Sequence, residues 1–363
     1  MFGRFASLTL GAFCVGYTAV SVLIHLVLFV YQEPASIAQY KPVINAEDSP
    51  VSQAGVLPTD SVIDGGPIRE VDVDTVPTLD ELIPHIVPSG VQPGGLWHPP
   101  VGSKIGCGGN TRKSRVAILI PYRNRPDHLP IFLKYIHPFM QRQNLDYGVY
   151  VVEQDDDLAF NRAELFNVGF LEAQLDQPYS CYVFHDVDHV PSDDRNSYCC
   201  GDEPRHLSTN VDRWDYKLLY DQFLGGVTQF GDSHVYAMNG MSNAYWGWGG
   251  EDDDVLCRWR TIGMTFSRPP NSYGRYRTIG SHGHKSAPKN KDRFEILKMA
   301  RSRMLIDGLN SVRYHLVNKD RHALYTHLKI RLGSQNVTTM MVEPPKRTLR
   351  EIRDKTIPHW SCQ

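Results

Sequence analysis

No two of the seven cysteines stand in a C-x-x-C arrangement, so the sequence offers neither a zinc-type spacing nor a dithiol redox motif. An excess of one charge sign is missing too. With 38 Lys+Arg against 40 Asp+Glu the formal net charge is −2. That leaves no broad basic field for a polyanion, and nucleic acid is not an expected partner. No internal repeat is visible. Between Arg4 and Glu33 there is no Asp, Glu, Lys or Arg at all.

That last absence carries the first positive inference. The stretch from Phe5 to Tyr31 exceeds the ~20 apolar residues that span a bilayer, so residues 5–31 read as a transmembrane helix. Arg4 and the amino terminus flank one side and Glu33 the other, which makes residues 1–4 a cytosolic tail and sends the rest into the lumen. A cleaved signal peptide is the rival; its apolar core would be shorter and would end in a small-x-small site. Residues 32–100 hold almost half of the 24 prolines but only two aromatics, Tyr40 and Trp97. They carry too little apolar surface to offset the entropy of ordering, and read as a disordered, semi-stiff, Pro-rich stem. One large domain over residues 101–363 remains. The scattered cysteines, at positions 14, 107, 181, 199, 200, 257 and 362, fit an oxidising compartment.

From about Arg115 short apolar runs alternate with helical periodicity. The pattern predicts strands over 116–121, 147–153 and 181–184, and helices over 128–141 and 161–175. Such alternation implies an α/β domain with a largely parallel sheet, whose ligands bind outside the carboxyl ends of the strands. Three motifs fall at such ends. In Pro121-Tyr122-Arg123-Asn124-Arg125, two guanidinium groups can grip a diphosphate, although a solvated basic turn would look the same. Asp186-Val187-Asp188 follows the third strand, and strand alternation would put both carboxylates on one side, where they can hold a hard divalent cation. In that position it points to a nucleotide-sugar glycosyltransferase. Trp246-Gly247-Trp248-Gly249-Gly250 then leads into Glu251-Asp252-Asp253-Asp254, combining a movable backbone, a flat face for a sugar ring and four acids whose mutual repulsion is costly.

The segments PYRNR, FNRAELFNVGF, FHDVDHVP, NGMSNAYWGWGGEDDD and DGLNS, in this order and spacing, make the chain from about Arg115 to Leu332 similar to the β-1,4-galactosyltransferase family. The resemblance implies a glycosyltransferase-A-like fold, a type II Golgi membrane enzyme, a manganese cofactor and inversion at the anomeric carbon. It implies that Pro121, Arg123, Arg125, Phe160, Arg162, Asp186, Val187, Gly226 and Trp248 bind a UDP-sugar donor. Asp252 is the implied general base, with Glu251 beside it on the donor sugar. Tyr220, Phe223, Trp248, Gly250, Asp253, Arg293, Phe294 and Leu297 form the implied acceptor side, for a GlcNAc-terminated glycan.

The family's usual methionine and histidine metal ligands are replaced here by Thr278 and Ser281, followed by His282-Gly283-His284, an H-x-H similar to the xylosylprotein branch. Two histidines spaced this way on an extended strand share a side, so the expected metal set is Asp188, His282 and His284. That branch takes xylose, but Pro204 to Ser208 and Arg293-Phe294 with Leu297 resemble the ordinary members, and GlcNAc is the expected acceptor. Phe223 stands where galactose-specific members have Tyr, so UDP-galactose is expected ahead of UDP-GalNAc. The resemblance also implies a Cys181–Cys200 disulfide, leaves Cys199 without an assigned partner, and leaves Cys107 open among Cys257, Cys362 and a free thiol. Asn336-Val337-Thr338 is the one N-x-S/T sequon, plausible in a lumenal protein. A non-enzymatic lectin is the reading from another class.

Overall fold

The computed structural model describes residues 68–104, 106–109, 115–280 and 288–333. The apolar stretch at 5–31, residues 32–67 of the expected stem, His282, His284 and Asn336 lie outside them. Among the described residues no helix is long and apolar enough to cross a membrane.

The chain enters with helix α1 (Leu79–Ile86), then strand β1 (Arg115–Tyr122), α2 (His128–Arg142), β2 (Asp146–Gln154), α3 (Arg162–Asp176) and β3 (Cys181–His185). Short strands follow, β4 (His189–Pro191), β5 (Arg205–His206) and β6 (Asn210–Val211), then β7 (Val227–Gly231), α4 (Asp232–Ala237) and α5 (Glu251–Thr261). Strand β8 (Arg275–Thr278), α6 (Arg293–Lys298), α7 (Ala300–Arg303) and the hairpin β9 (Tyr314–Arg321) and β10 (Thr326–Leu332) complete the order.

The five elements predicted between 116 and 184 are all present, each within two residues of its expected ends. The main sheet runs β5-β7-β3-β1-β2-β10-β9, and β4-β8-β6 form a smaller one. Its centre is parallel, β3 with β1, β1 with β2 and β2 with β10, but β7 joins β3 antiparallel and the hairpin closes the other edge antiparallel. The sheet is therefore mixed where a largely parallel one was expected, because the short β4–β7 segments carry no crossover helix. Alternation along β1 sends Val116, Ile118 and Ile120 to one core with α2, and Ala117 and Leu119 to the other with α3. Helices thus cover both faces of the central strands.

Two expectations change here. Residues 68–100 are folded, not stem-like: Thr78 caps α1 in a reciprocal box with Glu81, and Val71, Val73, Leu82, Ile86 and Trp97 lie in the core beside α2. Few aromatics and many prolines mark a segment that cannot fold alone; docking onto the sheet supplies the missing apolar partner, as in the Trp97–Tyr147 bridge with 2.9 and 3.0 Å hydrogen bonds. The expected Cys181–Cys200 disulfide is present, but Cys107 pairs with Cys199, Cα atoms 5.4 Å apart, instead of Cys257, Cys362 or nothing. Residues 143–144, just past α2, hold both partners' loops: Asn144 O accepts from Gly106 N at 3.0 Å, and Gln143 Oε1 accepts from Tyr198 N at 2.8 Å. Cys257 is buried and also disulfide-bonded.

Candidate active site

Arg162 opens α3, and its position is set by its neighbour. Asn161 caps the helix, accepting from Glu164 N at 3.0 Å, while its amide donates to Asn243 O at 2.7 Å. The Arg162 guanidinium lies over the Phe166 ring at 4.8 Å. From there Nε donates to Asp186 Oδ1 at 2.6 Å and Nη1 to Asp252 Oδ1 at 2.8 Å and Glu251 Oε1 at 3.4 Å. One side chain therefore joins the D-x-D segment to the acidic helix start, placing both in one cleft.

The four acids are tolerated because they occupy the first turn of α5, where the helix dipole favours negative charge, and because each finds a hydrogen-bond donor, one guanidinium serving two of them. Glu251 and Asp252 face Arg162. Asp253 accepts from Tyr220 OH at 2.9 Å. Asp254 is buried, accepting from Arg258 Nε at 2.6 Å and Tyr245 OH at 3.0 Å, and its role is structural. Burial, and then the charge of Asp252, push Glu251 up to about 8, and its Oε2 is buried without a hydrogen-bond partner.

The D-x-D carboxylates converge by a turn, not by strand alternation. Strand β3 stops at His185, Asp186 N donates to Gly226 O at 3.0 Å, and His189 N closes back on Asp186 O at 3.2 Å. Ligand atoms of Asp186, Asp188 and His189 lie within 4.8 Å of one another. His189 Nδ1 meets Asp188 Oδ1 at 2.8 Å, and Arg213 Nη2 donates to Asp188 Oδ2 at 3.3 Å. His189 Nε2 is buried with no hydrogen-bond partner, an orphaned donor atom in a group of two carboxylates and an imidazole, which fits a divalent cation of the manganese type. Thr278 pairs opposite His189, and its hydroxyl donates to Asp212 Oδ1 at 2.7 Å, so it is occupied and supplies no ligand.

The glycines after Phe223 knit these groups together. Gly226 has φ +86°, and a side chain there would meet Ser208 Oγ at 2.5 Å and His189 Nε2 at 3.0 Å. A Cβ on Gly225 would come within 2.7 Å of Asp252 Oδ2 and press on the Phe223 ring, so Phe223 borders the candidate base. Trp248 is 42% exposed, and Arg293 lies over both its ring and that of Phe294, which is 61% exposed. Leu297 does not join this platform; it turns inward onto Cys257 and Ala300, because the buried face of α6 is needed to seat the helix. Arg123 stacks on Phe160 at 5.3 Å and donates to Leu158 O at 2.7 Å. Pro121 and Val187 are buried, and Arg125 O receives the first amides of α2.

Residues of the family profile described as the N-terminal region of glycosyl transferase group 7 match 60–201, and those of the N-terminal domain of galactosyltransferase match 205–284. β-1,4-Galactosyltransferase 3 of Cricetulus griseus is 39% identical over 292 residues, covering 80% of this chain and 71% of that protein. The chain belongs to the β-1,4-galactosyltransferase family. Mouse β-1,4-galactosyltransferase 1 is 46% identical over 220 residues, 61% of this chain, and the match spans only 55% of that relative's length. Among solved structures, the catalytic domain of Drosophila β-1,4-galactosyltransferase 7 with xylobiose superposes with a TM-score of 0.55 at 32% identity, covering 62% of this chain and 97% of that one. A mutant of the same fly enzyme was solved with manganese, UDP-Gal and xylobiose, at 31% identity and TM-score 0.55. The fold is the mixed α/β, glycosyltransferase-A-like one of this family.

Sequence reading brought together Arg162, Asp186, Asp188, Glu251 and Asp252 as the structure does, but missed His189 and Arg213. His189 was legible as the residue directly after the D-x-D. Arg213 carries no signal, since it stands 25 positions along the chain from Asp188 on a separate loop.

Proposed function

We propose that this family member is an inverting, metal-dependent β-1,4-galactosyltransferase moving galactose from UDP-galactose to the 4-hydroxyl of a terminal GlcNAc. The observation that carries it is the Arg162 guanidinium held between Asp186 and Asp252. A diphosphate-side carboxylate and a candidate base thereby share one guanidinium partner. Asp252 takes the acceptor's hydroxyl proton as that oxygen attacks the anomeric carbon from the face opposite UDP, and no covalent intermediate is needed. Glu251, pushed up to about 8 chiefly by burial, stands beside Asp252 to hydrogen-bond the donor sugar. Arg123 and Arg125 hold the diphosphate and Phe160 the base or ribose, while closing of the Trp248 loop excludes water. Tyr220, Asp253 and Gly250 border the acceptor, with Arg293 and Phe294 against its N-acetyl group.

Asp188, with His282 and His284, is the proposed holder of manganese. Both histidines lie within four residues of Gly280, and Ile279 N already donates to Asp188 O at 2.8 Å, so the chain is long enough to reach. When bound, the cation neutralises charge gathering on the departing diphosphate. Residues 5–31 are proposed as the anchor of a type II Golgi membrane protein with a lumenal catalytic domain, and Asn336 as a glycosylation acceptor.

Purified chain given UDP-galactose, GlcNAc and manganese should release UDP. UDP-GalNAc and xylose run in parallel decide donor and acceptor, since Phe223 lacks a hydroxyl worth only ~1 kcal/mol of discrimination. Sugar binding without UDP release would favour a lectin. Asp252→Asn should lower kcat by about 100-fold or more while UDP affinity holds; equal loss of both would make Asp252 structural.

A further inference from the structure

Three metal-ligating side chains gather at the β9–β10 hairpin, which the proposed transfer reaction does not use. Asp320, His322 and His327 offer ligand atoms that all lie within 4.8 Å of one another. The register produces this. Asp320 and His327 are direct cross-strand partners, and His322 stands two residues past Asp320 at the start of the turn. The cations flanking Asp320 face away: Lys319 binds Asp176 at 2.7 Å and Glu172 at 3.3 Å, and Arg321 approaches Asp176 at 3.9 Å. Lys329, two residues past His327 on the same face of β10, is paired with Asp155 at 3.1 Å.

The side chains are also held as ligands usually are. His322 stacks on Tyr325 with ring centroids 4.8 Å apart, and its main chain is tied at both ends, N to Tyr325 O at 3.0 Å and O from Gly94 N at 2.6 Å. Asn318 donates to Asp320 Oδ2 at 2.6 Å, and His327 Nε2 meets Glu153 Oε2 at 2.8 Å. A carboxylate fixing an imidazole in this way is the common second partner of a metal-bound histidine. We propose that Asp320, His322 and His327, with Glu153 behind them, bind a divalent transition metal of the zinc class.

Two imidazoles and a carboxylate favour zinc over magnesium or calcium. Distance separates the site from the cleft: β10 is three strand spacings from β3 in the sheet order, about 14 Å. The proposal stands whether or not the galactosyl transfer reading holds.

The test is a zinc titration of the full purified chain against a chromogenic chelator, with manganese saturating, on the parent, Asp188→Asn and His322→Gln/His327→Gln. Parent and Asp188→Asn should each bind a single zinc equivalent that competes with the chelator. The double variant should bind about tenfold more weakly or worse, with the parent's circular dichroism. Cobalt should give visible d–d bands in the parent that the double variant loses. Where the double variant fails to fold, Asp320→Asn replaces it, with the same weakening expected. Unchanged zinc affinity in the hairpin variants, or its loss in Asp188→Asn, overturns the assignment.

Discussion

Replacing Arg162 by methionine keeps most of the side chain's length and removes the charge that three acids share. The guanidinium side chain is 16% exposed and those of Asp186, Glu251 and Asp252 are 21%, 11% and 25% exposed, so the group is partly shielded from solvent. Breaking a fully buried ion pair from one side costs about 3–5 kcal/mol, and the residual solvent contact here reduces that to about 2–3 kcal/mol. For a folded unit of this size, about 2–4 °C of melting temperature accompanies each kcal/mol, so the midpoint should fall by about 5–10 °C. The loss should depend on pH. The loss comes from carboxylate charge left without a counter-ion, so protonating the acids at lower pH should relieve it. Urea unfolding of variant and parent at about pH 7.5 and about pH 5 reads this as a difference that shrinks on acidification. Arg162→Lys should recover part of it, because one ammonium reaches one arm but does not span Asp186 and Asp252. A pH-independent difference, or one below about 1 kcal/mol, would refute the view that Arg162 holds these carboxylates together.

His282→Ala and His284→Ala should each raise the half-saturating manganese concentration by about tenfold or more, read from UDP release; no change in either would remove both from the ligand set. His137 is buried between Tyr147 OH at 2.8 Å and Leu324 O at 2.9 Å, and burial lowers it to about 4. Its contribution is complete above the unfolded value near 6.5 and is lost as pH falls through about 4, up to about 3 kcal/mol, so His137→Gln should flatten acid unfolding. His185 and His206, each lowered by burial to about 3, keep part of the slope. Cys107→Ser with Cys199→Ser opens a cross-link between residues 92 apart and should cost about 2–4 kcal/mol in urea unfolding, where a loss under about 1 kcal/mol would show that the hydrogen bonds of residues 143 and 144 alone fix those loops.

What was legible before any coordinates followed from short-range rules. Alternating apolar runs fixed the strands and helices from 115 to 185, because periodicity within one element reports which face is buried. The D-x-D, the WGWGG run and the acids after it marked the cleft, because their residue types are costly anywhere that gives them no ligand or partner. Several motif residues proved to be framework instead: Asn161, Asn167 and Asn243 share buried hydrogen bonds that lock the start of α3 to the NGMSN segment.

The sequence by itself determined the family, the α/β alternation and the set of acids and arginines. Only the tertiary structure decided that residues 68–100 fold, that Cys107 joins Cys199, that Leu297 turns inward, and that Arg213 accompanies Asp188. It also decided how four successive acids divide, with Asp254 committed to the core and Asp252 to the cleft. Most of those outcomes depend on contacts between residues tens to more than a hundred positions apart, and neither hydrophobic periodicity nor motif spacing carries information about which distant surface a side chain will meet.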